Sequence, residues 1–191
     1  MVVLGIAGSL RSGSHNAQLL RHVAEELPEG VELEVFDRLA EIPAYDPDLE
    51  DLSPDAVEDL KAAIAAADAV LIATPEYNGS IPGALKNALD WVSRPIAETP
   101  IRSKPVAVIG ASTGAFGAVW AQRELRKVLG LMGARVLDLE LAVAKADRAL
   151  ADPDTELRLQ LAGVVSELVS VADLELDALG QLLRNMPVAG L

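Results

Sequence analysis

The chain has 191 residues, 51% hydrophobic and 24% charged, enough for a single domain with a full core and too apolar for a disordered or collagen-like protein. It has no cysteine and two histidines, which excludes a disulfide framework, a zinc–thiolate centre and a cysteine nucleophile, and no bound metal is expected. Sixteen Lys and Arg against twenty-nine Asp and Glu leave a net charge of −13, so the surface favours solubility and repels nucleic acid.

Val2–Ala7 reads as a strand. No basic segment precedes it, so no signal peptide is expected. From Asn16 a helical period takes over, with Leu19, Leu20, Val23, Ala24 and Leu27 on one face and a stop at Pro28-Glu29-Gly30. Val31–Phe36 alternates apolar and acidic residues, the pattern of a strand with one solvated face and so of a sheet edge. Asp37–Leu52 is long for a connection, and loops of that length are usually functional or mobile. Ser53-Pro54-Asp55 supplies an N-cap, an N1 proline and a first-turn acid for a helix through Ala67.

Ala69–Ala73 is uninterruptedly apolar, as a central parallel strand covered on both faces requires. Pro82 opens a helix with Leu85, Leu89 and Val92 on its apolar face, ending at Arg94-Pro95. Val106–Ile109 is a second buried strand, followed by a loop over Gly110–Gly117 and a helix to Leu131. Arg135–Val143 alternates as a fifth strand. Asp152-Pro153-Asp154 caps a last helix with the stripe Leu157, Leu161, Val164, Val165 and Leu168. The most apolar stretch, Ala62–Thr74, is broken by Asp68 and too short to span a membrane. A cytoplasmic protein, one domain over residues 1–191, is the expectation.

Five strands alternating with helices predict a three-layer α/β sandwich with a parallel sheet. In such sheets ligands bind beyond the carboxyl ends of the strands. The loops to search are therefore those after strands one, three and four.

Gly8-Ser9-Leu10-Arg11-Ser12-Gly13-Ser14-His15 joins the first strand to the first helix. Small residues there let backbone N–H groups converge on an anion, hydroxyls add hydrogen bonds, and Arg11 brings a fixed charge. Gly8 and Gly13 have Walker A spacing, but Ser14 and His15 stand where that motif needs Lys and Ser/Thr; the glycines do not fit a dinucleotide fingerprint either. What remains is a loop for a single phosphate, which His15 can also approach.

Pro75-Glu76-Tyr77-Asn78-Gly79-Ser80-Ile81-Pro82 is stiffened by its prolines and dense in donors and acceptors, which suits a flat heterocycle, with Tyr77 as an aromatic wall. Gly110-Ala111-Ser112-Thr113-Gly114 matches the nucleophile elbow of hydrolases. Those enzymes order their triad Ser, Asp or Glu, His, and no histidine follows Ser112. Without a base the hydroxyl is a poor nucleophile, so Ser112 is read as a ligand hydrogen bond.

The first loop through Asn16, together with Thr74–Trp91 (Thr-Pro-Glu-Tyr-Asn-Gly-Ser-Ile-Pro-Gly-Ala-Leu-Lys-Asn-Ala-Leu-Asp-Trp), resembles the NADPH-dependent FMN reductases, a flavodoxin-like family that includes chromate, quinone and azo-dye reductases. The resemblance runs from Val3 to about Leu141. It implies a five-stranded parallel sheet in the order 2-1-3-4-5 and one noncovalent FMN. Ser9, Arg11, Ser14 and Asn16 would bind the ribityl phosphate. Glu76, Tyr77, Asn78 and Gly79, after Pro75, would line the isoalloxazine edge, with Ser112 and Gly114 nearby. The family often carries a Gly-Gly pair where this chain has Gly117-Ala118, a difference expected to alter packing of that loop.

The resemblance further implies hydride transfer from NADPH or NADH to the flavin, then electron transfer to a small-molecule acceptor at the same face, in a ping-pong cycle without a catalytic side chain. Backbone N–H groups of Tyr77–Gly79 would support negative charge on the ring. The alternative is a flavodoxin-type FMN electron carrier, against which Arg11 argues, since typical flavodoxins cradle the phosphate with hydroxyls and amides alone. No basic cluster for a 2′-phosphate stands out. The final helix, the helix after Pro82, Trp91 and Trp120 offer apolar surface for a homodimer or homotetramer.

Overall fold

The apolar runs that no polar residue interrupts become the centre of the sheet. The computed structural model describes residues 1–185, with side chains through residue 174. Its strands are β1 (Val2–Ala7), β2 (Glu32–Phe36), β3 (Ala69–Thr74), β4 (Pro105–Ala111), β5 (Arg135–Val136) and β6 (Leu141–Val143). They run parallel in the order β2-β1-β3-β4-β5, with β6 also paired to β4. The helices are α1 (His15–Glu25), α2 (Asp55–Ala66), α3 (Gly83–Val92), α4 (Val119–Leu131), α5 (Ala146–Ala149) and α6 (Thr155–Asn185). This is the α/β sandwich and strand order expected.

Strand alternation divides the core in two. Leu4, Ile6, Val70, Ile72, Val106 and Val108 face α2, α3 and α4, where Leu60, Ile64, Leu85, Trp91 and Leu125 meet them. Val3, Leu71 and Ile109 point the other way, onto Leu19, Leu20 and Val23 of α1 and Leu161, Val165 and Leu168 of α6. Every residue of β3 and β4 is buried, while β2 is a half-exposed edge.

The structure departs from the sequence reading at several points. The fifth strand is two short ones, because the chain leaves the sheet after Leu137, whose N–H still donates to Val106 O: Arg126 holds the Leu139 carbonyl at 2.8 Å, and Arg123 and Arg126 both pair with Glu140. Ala24 is exposed, one position too far around α1. Pro54, not Ser53, holds the N-cap position of α2, and no side chain caps it. Asp154 does cap α6, accepting from Leu157 N at 2.8 Å.

The 37–52 connection is an ordered layer on α3. It contains 3₁₀ turns over Leu39–Glu41 and Pro47–Leu52 and buries Leu39 and Ile42. Asn87 accepts from Tyr45 N at 2.8 Å and donates to the Pro43 carbonyl at 2.7 Å, which also receives Trp91 Nε1 at 2.9 Å. The Tyr45 ring meets Trp91 edge-on, and its hydroxyl donates to Glu50, which pushes the phenol pKa above its ordinary value. Trp91 is thus taken up in the core.

Candidate functional site

Parallel neighbours in register end at the same edge. Ala7 stands beside Ala73 and Thr74 beside Gly110, so the loops after β1, β3 and β4 leave the sheet side by side. Between them lies a cavity of about 310 Å³. Ser9, Arg11, His15 and Asn16 line it from the first loop and α1, Pro75, Glu76 and Tyr77 from the second, and Ala111, Ser112 and Thr113 from the third. Ser14, Asn78, Gly79 and Gly114 are not among its lining residues.

Ser14 is the N-cap of α1, its hydroxyl accepting from Ala17 N at 3.1 Å. Asn16 is buried and commits its amide to the backbone of Ala111: Nδ2 donates to the carbonyl at 3.0 Å and Oδ1 accepts from the N–H at 2.9 Å. It ties α1 to the end of β4, so its part in the site as built is to set the distance between two loops. The exposed Arg11 guanidinium folds back onto the Gly13 carbonyl. His15 lines the cavity, and its Nδ1 is buried without a hydrogen-bond partner.

The second loop is a two-residue hairpin. Tyr77 and Ser80 exchange backbone hydrogen bonds at 3.2 and 3.1 Å, and Asn78 and Gly79 both have positive φ, 54° and 74°. That is the backbone of a type I′ turn, for which Asn-Gly is the favoured pair. Among the described residues, neither Asn78 N nor Gly79 N donates a backbone hydrogen bond. Tyr77 is 54% exposed at the cavity mouth. Glu76 turns away from the loop: its carboxylate accepts from Trp120 N at 3.0 Å and Ala121 N at 3.1 Å.

The third loop is stitched to the segment after β6. Ser112 N donates to the Val143 carbonyl, Lys145 N to Gly114 O and Ala146 N to Ser112 O. The Ser112 hydroxyl accepts from Gly114 N at 3.1 Å, so Ser112 and His15 line one cavity without forming a serine–histidine pair. Gly117, at φ 56°, presses on the backbone of β6: a Cβ there would stand 2.3 Å from the Ala142 carbonyl carbon. Reading the sequence alone did not single out Ala111 and Thr113 as lining, because neither side chain announces a contact made through strand ends.

The profile of the NADPH-dependent FMN reductases matches residues 1–148. The chain belongs to that family. As a member it is an NAD(P)H-dependent flavin oxidoreductase with FMN as cofactor. It is 46% identical over 149 residues to an NAD(P)H-dependent FMN reductase of Pseudomonas aeruginosa, covering 77% of this chain and 80% of that one. It is 38% identical over 155 residues to a quinone reductase of Escherichia coli K12, covering 80% and 82%. The solved structure of FerB, a flavoenzyme NAD(P)H:(acceptor) oxidoreductase from Paracoccus denitrificans, superposes with a TM-score of 0.80 at 33% identity, covering 90% of this chain and 97% of FerB. A Pseudomonas aeruginosa flavodoxin variant, at 20% identity and a TM-score of 0.57, shares the fold. Among the described residues no helix is long and apolar enough to cross a membrane.

Proposed function

We propose that the cavity at the carboxyl edge holds FMN with its phosphate at the start of α1 and its ring edge on the 77–80 hairpin. One observation carries this reading: three loops that the sheet brings together line a single cavity and place among its lining residues an arginine and a histidine whose Nδ1 has no partner. Ser9 supplies a hydroxyl to the phosphate, and Arg11 swings from Gly13 to make charge-assisted hydrogen bonds. His15 Nδ1, next to the helix N-terminus, gives the phosphate a further donor when that nitrogen carries the proton. Asn78 and Gly79 present N–H groups to the polar edge of the ring, where they favour negative charge.

Bound FMN supplies the hydride and electron chemistry. The chain's part would be to bind and orient the ring, with the half-exposed Tyr77 at the cavity mouth offering an aromatic surface for a nicotinamide and then a flat acceptor. A quinone is the acceptor class proposed, in line with the quinone reductase relatives. Residues 1–191 act as one flavin domain in the cytoplasm, where NAD(P)H is supplied, and the enzyme works as a homodimer or homotetramer.

The experiment is anaerobic. Purified protein loaded with FMN and desalted should be yellow, bleach on adding NADPH or NADH, and regain colour on adding a quinone. Colourless protein after desalting overturns the FMN site. Yellow protein that neither nicotinamide bleaches is instead a flavodoxin-type carrier.

A further inference from the structure

The helix that follows the third loop, α4, has no side-chain cap of its own: Ala118 holds the N-cap position. Its first-turn N–H groups, at Trp120 and Ala121, are satisfied by Glu76, forty-four residues earlier in the chain, just before the hairpin. On the hairpin's other side, Glu124 of α4 accepts from the Ser80 hydroxyl at 2.6 Å and from Ile81 N at 3.4 Å. Both stems of the hairpin are thus tied to the first turns of one helix by carboxylates. A carboxylate at a helix N-terminus is favoured by the helix dipole and by unpaired N–H groups.

We propose that Glu124, with Glu76, is a positioning residue for the flavin ring: the pair braces the hairpin on α4 and so fixes where Asn78 and Gly79 aim their N–H groups. Glu124 touches no lining residue of the cavity through a hydrogen bond, and no loop motif contains it. The inference rests on the FMN reading above. A two-residue hairpin is marginal in isolation; without the brace the donors must be ordered each time a ring binds. That loss falls on the ring and not on the phosphate.

The test is Glu124→Ala in the full chain, titrated with FMN and with riboflavin, which lacks the phosphate. Both dissociation constants should rise by the same factor, about three- to tenfold, as expected for re-ordering one loop on binding. The potential of the bound flavin should become more negative, because less well-aimed donors support negative charge less. Glu124→Gln, which keeps an acceptor oxygen, should stay within about twofold of the parent. Folded Glu124→Ala with both constants and the potential unchanged overturns the brace. If Glu124→Ala does not fold, Ser80→Ala removes the same bond from the hairpin side. It should raise both constants together, and no change would overturn the proposal. A parent chain that binds neither flavin would sink the FMN reading itself, and the brace with it.

Discussion

At Gly117-Ala118, where the resemblance leads one to expect Gly-Gly, each position obeys a different constraint. At Gly117 both φ, 56°, and space demand glycine, because the chain of Ala142–Val143 occupies the place of a Cβ. Gly117→Ala should therefore destabilise the fold by about 3 kcal/mol or more, through strain and a backbone clash that no rotamer relieves. Ala118 also has positive φ, 64°, but its methyl is buried. Relief of left-handed strain, about 1–2 kcal/mol, is offset in Ala118→Gly by the lost methyl burial, about 0.8 kcal/mol, and by added freedom in the unfolded chain, about 0.4–1 kcal/mol. Denaturant midpoints should show the first change as large and the second as within about 1 kcal/mol of the parent. A large effect at Ala118 would mean that the third loop is under a constraint not visible in its packing.

At the scale of elements, the 37–52 segment shows how a long connection becomes rigid. Asn87 makes two of its anchoring hydrogen bonds, each worth about 1 kcal/mol net. Asn87→Ala should therefore release the segment locally, seen as faster proteolysis between Pro43 and Leu52, while global stability falls by about 1–2 kcal/mol. Unchanged cleavage would show that burial of Leu39 and Ile42 alone holds it. The sequence shows the anchor residues, in Lys86-Asn87-Ala88-Leu89-Asp90-Trp91, but not what they hold, since a polar side chain carries no record of a partner forty residues away. The same limit governs the site. β3 and β4 are legible because an apolar run that long has one stable home; Asn78-Gly79 carries the signature of a two-residue hairpin, although the sequence reading takes it only as part of a stiff loop. A strand of two residues, such as β5, has no period to read. Glu124 looks like any exposed helical acid until Ser80 is placed against it.

For the whole molecule, the remaining question is what covers the α3–α4 side near the site. The sequence reading counted Trp91 as available surface, but it is 1% exposed and serves the core. Exposed beside the site are Tyr77, Phe116 and Trp120, with Phe116 and Trp120 in edge contact at 4.8 Å, while Ile96 and Leu131 are exposed at the far ends of α3 and α4. A cavity of about 330 Å³ between α3 and α4, lined in part by Leu89, Ile96, Val128, Leu131 and Met132, lies on this side. Burying such residues against a second copy is favourable, but each copy brings a net charge of −13, so repulsion opposes the contact. The two effects respond differently to salt. The screening length falls from about 30 Å at 0.01 M to about 8 Å at 0.15 M ionic strength, while burial of aromatic surface is little changed. Light scattering at micromolar protein should therefore give two or four times the chain mass of 20.1 kDa at moderate salt, shifting toward the single-chain mass as salt is withdrawn. Trp120→Glu adds a charge to the exposed Phe116–Trp120 pair and should hold the protein at 20.1 kDa in both conditions. A parent chain that stays at that mass at every concentration and salt would refute the assembly and leave the exposed aromatic pair open to solvent beside the cavity at the carboxyl edge.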